Sequence, residues 1–222
     1  MTKAIMKNCC KISSGSIVDH FDENTAKNEM KRYIKKGPNP TTRCLLAHIV
    51  NTGAGTTLLD IGAGIGAASF ELLAAGYNEA VCIDISPAYT GVTREEIIKR
   101  GLENRMKMIE GDFAETNDSV PNSDTVVMDR VVCCYPLLRP LLKSALQCSQ
   151  RLFAFSYPND RWYVRLIFII ENLLHKIRGE RFRIFIHSPG KMEQIITSAG
   201  FRKLKHSQTI VWSIDLYRRD VS

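Results

Sequence analysis

The stretch Leu58-Leu59-Asp60-Ile61-Gly62-Ala63-Gly64-Ile65-Gly66 decides how this chain folds. A short apolar strand runs into closely spaced glycines, and AASFELLAAG behind them reads as a helix closed by Gly76. Glycines in such a turn let the backbone take positive φ and approach a ligand closely, and the N–H groups opening the next helix make a positive-ended polar site.

Downstream the pattern repeats. AVCID is a second strand ending at Asp84, and Ser86-Pro87 opens a helix that runs to Gly101. RMKMIEGD is a third strand and DTVVMD a fourth, followed by a helix through PLLKSALQCS and a fifth strand, RLFAFSYP. These apolar strands mostly do not alternate, as expected of a parallel sheet covered on both faces. Strand–helix repetition at this spacing implies right-handed crossovers and a doubly wound sheet. The end of the chain breaks the pattern. Arg161 to Ile177 reads as a helix, FRIFIH as strand-like, and Ser188-Pro189 starts a helix that Gly200 ends. FRKLKHS and TIVWSIDLYRR then follow with almost no connection, so they must pair antiparallel.

Upstream, Ala26 to Lys36 reads as a helix stopped by Gly37-Pro38. Asn39 offers a cap with Pro40 at the first helical position, and a second helix runs to Thr52-Gly53. The expected organisation is an N-terminal helical extension over 1–52, a candidate lid, and an α/β domain over 53–222.

Composition sets the class. The 222 residues, 45% hydrophobic and 24% charged, suit one compact globular domain. The N-terminus lacks a secretory apolar core, and the run Val164 to Ile170 is too short for a span, which needs about 20 residues; a cytoplasmic protein is expected. Seven cysteines, an odd number with no C-x-x-C, point to reduced thiols rather than a disulfide framework. The net charge of +7 suits a solvated surface, nucleic acid, an anionic lipid surface or an acidic small molecule.

The glycine turn admits two cofactors. Gly62, Gly64 and Ala67 satisfy the dinucleotide pattern G-x-G-x-x-G/A, and Asp84, 20 residues past Gly64, suits the hydroxyls of an adenosine ribose. Three features separate the readings. Asp60 stands before the glycines where it can hold the turn and face an ammonium group. Gly111-Asp112-Phe113 ends the third strand with an acid and a ring where adenine would lie, and the terminal hairpin is the third feature.

Over Thr57 to Arg218 this order resembles the class I S-adenosylmethionine-dependent methyltransferases. The resemblance implies a Rossmann-like, seven-stranded, mostly parallel sheet with helices on both faces, its last strand antiparallel and inserted beside the fifth. It implies S-adenosyl-L-methionine as cofactor, with Asp60, Gly62, Ala63, Gly64 and Gly66 around the methionine portion. Asp84 would bind the ribose and Ile85 lie against adenine, while Asp112 would meet the adenine amino group and Phe113 pack on the ring. Asp129, ending the fourth strand, would stand between cofactor and substrate. A looser likeness, through KRYIKKG and FRIFIHS, is to the magnesium-protoporphyrin O-methyltransferases.

The acceptor side follows the fourth strand as DRVVCCYP and lacks the [ND]-P-P-[YF] motif of amino-methylating nucleic-acid enzymes. Arg130 suits a substrate carboxylate or an ion pair with Asp129, Tyr135 suits orientation of a nucleophile or packing, and His187 suits a base or a surface role. No metal is expected at the site. The leading expectation is methyl transfer to a small molecule, at oxygen, the acceptor apolar with a carboxylate. The alternatives are an NAD-dependent oxidoreductase, an RNA methyltransferase or RNA-binding protein, and metalloid methylation through Cys133 and Cys134, with Cys9 and Cys10 closing over them. The helix Arg161 to Arg178 carries apolar residues around much of its circumference. It is read mainly as packed on the sheet and the N-terminal helices, with a cover over an apolar pocket or a membrane-surface contact as the other uses.

Overall fold

A computed structural model describes residues 20–53, 55–116 and 120–220. The sheet is built from β1 (Thr57–Ile61), β2 (Glu79–Asp84), β3 (Met106–Glu110), β4 (Ser123–Met128), β5 (Ser149–Pro158), β6 (Phe201–Gln208) and β7 (Trp212–Arg219). Its order is β3-β2-β1-β4-β5-β7-β6. The first five strands are parallel, and β7 runs antiparallel to both β5 and β6. The terminal strand is therefore inserted beside the fifth, as the resemblance implies.

Helices cover both faces: α1 (Glu23–Lys36), α2 (Pro40–Val50), α3 (Ala67–Ala74), α4 (Pro87–Lys99), the short α5 (Phe113–Thr116), α6 (Leu138–Cys148), α7 (Trp162–Ile177) and α8 (Pro189–Ser198). Successive strand residues feed opposite cores. Leu58, Cys82, Val127, Ala154 and Leu216 pack with α1–α4, while Leu59, Ile83, Val126, Phe155 and Tyr217 pack with α6 and α8. That two-sided burial is the reason the strand sequences do not alternate.

The N-terminal helices are capped as their sequence indicates. Asp22 accepts from the Thr25 N–H at 2.7 Å, which starts α1 three residues earlier than the apolar pattern suggests. Asn39 accepts from the Thr42 N–H at 3.0 Å with Pro40 in the first helical position. Leu45, Leu46 and Ile49 of α2 are buried in the same core as Leu152 and Ile214 of the sheet.

Two expectations need correction. FRIFIH is no strand: residues 181–188 have no regular secondary structure. Both sides of β5 are taken by β4 and β7, so this segment finds other partners. Ile184 exchanges two bonds with the Asn172 amide, at 2.8 and 2.9 Å, and the Phe185 N–H donates to the Cys133 carbonyl at 2.7 Å. The second correction concerns α7. Of its apolar side chains only Val164 and Phe168 are buried, whereas Ile167, Ile170, Leu173, Leu174 and Ile177 are exposed. They do not pack on the sheet or the N-terminal helices.

Candidate active site

The strand order reverses between β1 and β4, and a crevice opens there at the carboxyl ends of the strands. A cavity of about 330 Å³ fills it, with a smaller polar cavity of about 70 Å³ adjoining. Gly62, Gly64, Asp129, Arg130 and Glu29 line both.

The glycine turn is fixed by backbone and by one carboxylate. The Gly62 and Ala63 N–H groups donate to the Ile83 carbonyl at 2.8 and 3.1 Å, tying the turn to β2. Asp84 accepts from the Gly64 N–H at 2.8 Å and from the Ser86 N–H at 2.9 Å. Burial pushes the Asp84 carboxyl up, and those backbone donors oppose the rise. The residue before α3, Gly66, has no side chain to cap it, and Asp60 meets Ser69 in the first turn of the helix instead.

The three glycines do different work. A Cβ on Gly62 (φ +64°) would meet Val131 Cγ2 at 2.5 Å, and one on Gly66 (φ +72°) would meet Met106 Cε at 2.8 Å. Both serve packing. At Gly64 (φ +54°) a Cβ would find only Tyr89, at 3.6 Å, so this glycine keeps the cavity wall open.

Asp60 points away from the larger cavity and lines the smaller one with Ala63. It is buried, accepts from Ser69 Oγ at 2.8 Å, and is pushed up to about 7, chiefly by loss of solvent. Asp112 and Phe113 lie in the larger cavity with Asp84 and Ile85. Tyr135 is buried there too, and its hydroxyl donates to the Asp112 carboxylate rather than turning outward.

Asp129 is held by three elements. Thr42 of α2 and Ser156 of β5 both donate to it, and Arg130 Nε stands 3.9 Å away. Arg130 is the one non-glycine residue with positive φ (+61°) among those described. Its N–H donates to Ser156 Oγ at 2.8 Å, so the strained backbone is pinned by the serine that also holds Asp129. Its buried Nε has no hydrogen-bond partner.

The far end of the cavity comes from parts the motifs do not name: Phe21 before α1, Phe168 and Glu171 of α7, Phe182 and Ile184 beyond it. His20 stacks on Phe182 at 4.2 Å, and Ser86 Oγ donates to the Phe21 carbonyl at 2.9 Å. Past α7, Gly179 (φ +75°) lets the Glu180 N–H return to the His175 carbonyl at 2.9 Å, and the Glu180 carboxylate bonds His175 Nδ1. His20, His175 and Glu180 thus gather one donor atom each within 4.8 Å, a set with the composition of a cation site. Burial, then the neighbouring His175, lower the His20 pKa and favour its neutral imidazole.

The structure gathers the candidate residues on this crevice with two exceptions. Gly66 faces inward. His187 is half-buried outside both cavities, its Nε2 2.9 Å from the Tyr135 carbonyl. Cys133 and Cys134 line the cavity with their sulfurs 3.7 Å apart. Contact with Cys134, then burial, push the Cys133 thiol up, away from the thiolate that a soft metal takes. Cys9 and Cys10 lie outside the described residues.

A family profile described as "Methyltransferase domain" matches residues 58–153, which run from β1 through the glycine turn, Asp84, Asp112 and Asp129 into β5. Residues 58–153 thus form a methyltransferase domain, similar to those that use S-adenosylmethionine. A probable cobalt-precorrin-6B C(15)-methyltransferase (decarboxylating) from Methanothermobacter thermautotrophicus is 29% identical over 94 residues, 41% of this chain and 48% of that protein. The matched part thus spans about half of that relative's length. The fold is shared with magnesium protoporphyrin IX methyltransferase from Synechocystis PCC 6803 with bound S-adenosylhomocysteine: TM-score 0.73, 19% identity, covering 94% of this chain and 100% of that one. A putative RNA methyltransferase from Pyrococcus horikoshii shares it more distantly, with TM-score 0.58, 19% identity and coverage of 83% and 84%.

Proposed function

We propose that this protein transfers the methyl group of S-adenosylmethionine to an oxygen of a small, apolar, carboxylate-bearing acceptor. One observation carries the reading: Asp60, Asp84, Asp112 and Asp129 converge on one crevice beside the start of α3, although the chain as a whole is basic. A methyl donor that is a sulfonium and an ammonium at once suits four carboxylates. A diphosphate would meet Asp60 and Asp129 as like charges.

The bound cofactor supplies an activated methyl group. Asp84, fixed by two backbone donors, offers its remaining acceptor capacity to the ribose hydroxyls. Phe113 and Ile85 flank the adenine, and Asp112, oriented by Tyr135, takes its amino group. Asp60 in the small cavity meets the ammonium group, with Gly62, Ala63 and Gly64 against the same portion of the cofactor. The nucleophile must lie in line behind the methyl, where positioning supplies much of the rate.

Arg130 is the residue we assign to the acceptor. A guanidinium whose Nε is buried and unbonded, on a strained backbone beside the cofactor, suits a bidentate carboxylate. A carboxylate arrives already ionised at neutral pH, so no base is required; this fits the position of His187 outside the cavity. Phe21, Phe168, Phe182 and Trp212 supply an apolar lining. Tetrapyrrole carboxylates are the first class to try, since precorrin and protoporphyrin appear in the names of two relatives.

The test is transfer of labelled methyl from S-adenosylmethionine to a panel of apolar carboxylates, amines and RNA. Base-labile label on a carboxylate, with Arg130→Gln raising KM at least tenfold, is the expected result. Label on RNA or on amines alone would overturn the acceptor assignment.

A further inference from the structure

The polarity of α7 is inverted. Val164, Phe168 and His175 face the protein, and on the opposite side Trp162, Leu166, Ile169, Ile170, Leu173 and Ile177 are each 49–76% exposed. At 100° per residue these six fall in one continuous stripe along all 16 residues, about 24 Å long at 1.5 Å per residue. Ile210, 78% exposed in the β6–β7 turn, extends the stripe: its carbonyl accepts from Tyr163 OH at 2.9 Å beside the start of the helix. Isolated exposed leucines need no explanation, but a contiguous apolar face of this length does.

The rim of the face is basic. Arg161, Lys176, Arg178 and Arg181 are exposed around it. The nearby acids are otherwise engaged. Asp160 pairs with Arg165, Glu171 lines the cavity on the opposite side, and Glu180 is turned back on His175. Two copies docked through this stripe would bring two basic rims together, whereas an anionic bilayer answers both the apolar stripe and the rim. Among the described residues no helix is long and apolar enough to cross a membrane, so α7 would lie in the plane of the surface.

We propose that α7 is a membrane-docking helix that seats the enzyme on an anionic lipid surface. Phe168 and Glu171, on its inner side, line the large cavity, so docking brings the acceptor end within about one helix diameter, 10–12 Å, of the bilayer. This rests on the exposed face alone and stands whether or not the acceptor assignment holds.

The experiment is co-sedimentation of the full chain with vesicles of phosphatidylcholine and phosphatidylglycerol at 3:1, against phosphatidylcholine alone. Wild type and the triple variant L166Q/I170Q/L173Q are compared, and S-adenosylhomocysteine affinity monitors the fold. Expected is at least tenfold stronger partition onto the anionic vesicles, a blue shift of Trp162 emission there, and at least a tenfold loss in the variant at unchanged cofactor affinity. Wild type remaining in solution with anionic vesicles would overturn the proposal. So would undiminished binding by the triple variant, or a wild-type dimer that becomes monomeric in the variant without any vesicle binding.

Discussion

The two ends of the crevice are built in different ways. At the β1–β2 end, the cavity is lined by carboxylates anchored on and beside a glycine turn: Gly64 and Ser86 donate to Asp84, and Ser69 donates to Asp60. At the α7 end, the wall is assembled from side chains far apart in sequence, with Phe21, Phe168 and Phe182 meeting only in the folded protein. The first end is a local device that any chain with this turn can carry. The second exists only through the tertiary fold, and under the proposed function it is where the acceptor would be chosen.

The sharpest break in that comparison comes at the glycines. Gly62→Ala forces a Cβ to 2.5 Å from Val131 at φ +64°, and should cost about 3 kcal/mol of stability in denaturant unfolding. Gly64→Ala meets only Tyr89 at 3.6 Å and should cost about 1 kcal/mol, yet weaken S-adenosylhomocysteine binding by narrowing the cavity. Equal stability losses at both positions would sink the division of labour between them.

Loss of the Asp84 carboxylate is next. Asp84→Asn should weaken S-adenosylhomocysteine about 30-fold, the scale of charge-assisted hydrogen bonds, and leave acceptor KM nearly unchanged. Asp60 gives a pH signature. Its folded-state pKa of about 7 stands above the ordinary 3.8, so between those values the ligand-free protein holds a proton that the unfolded chain has lost. Stability from this group therefore falls as pH rises from about 4 to about 7 and is flat above. A bound ammonium favours the ionised form, so affinity should rise about tenfold from pH 6 to pH 8, and Asp60→Asn should flatten the profile. A wild-type profile already flat would remove Asp60 from the cofactor site.

The one gain in stability expected belongs to Arg130. Arg130→Gly should gain about 1 kcal/mol by relieving its positive φ. The variant should raise acceptor KM without moving cofactor affinity, as a calorimetric titration beside steady-state kinetics can show.

The sequence makes the two ends unequally legible. Leu58 to Gly66 carries strand, turn and helix start in consecutive residues, and Asp84 and Asp112 fall at strand ends that periodicity locates. Residues joined only through tertiary contact leave no such trace. Thr42 of α2 donates to Asp129 across 87 positions, and Ser156 pins both Asp129 and Arg130 from β5. FRIFIH reads as a strand because Phe182, Ile184, Phe185 and Ile186 are β-branched or aromatic, while its pairing is decided by β7 occupying the place beside β5. The apolar breadth of α7 is visible in sequence. Which side meets the protein is not, because Leu166 and Phe168 have the same local composition and opposite burial.

The central claim is that the glycine turn and Asp84 hold S-adenosylmethionine. Its most direct test is calorimetric titration of the full chain with S-adenosylhomocysteine and, in parallel, NADH. Stoichiometric binding of S-adenosylhomocysteine, weakened in Asp84→Asn, with no heat from NADH, is the predicted result. Saturable NADH binding, or S-adenosylhomocysteine affinity indifferent to Asp84→Asn, would contradict it.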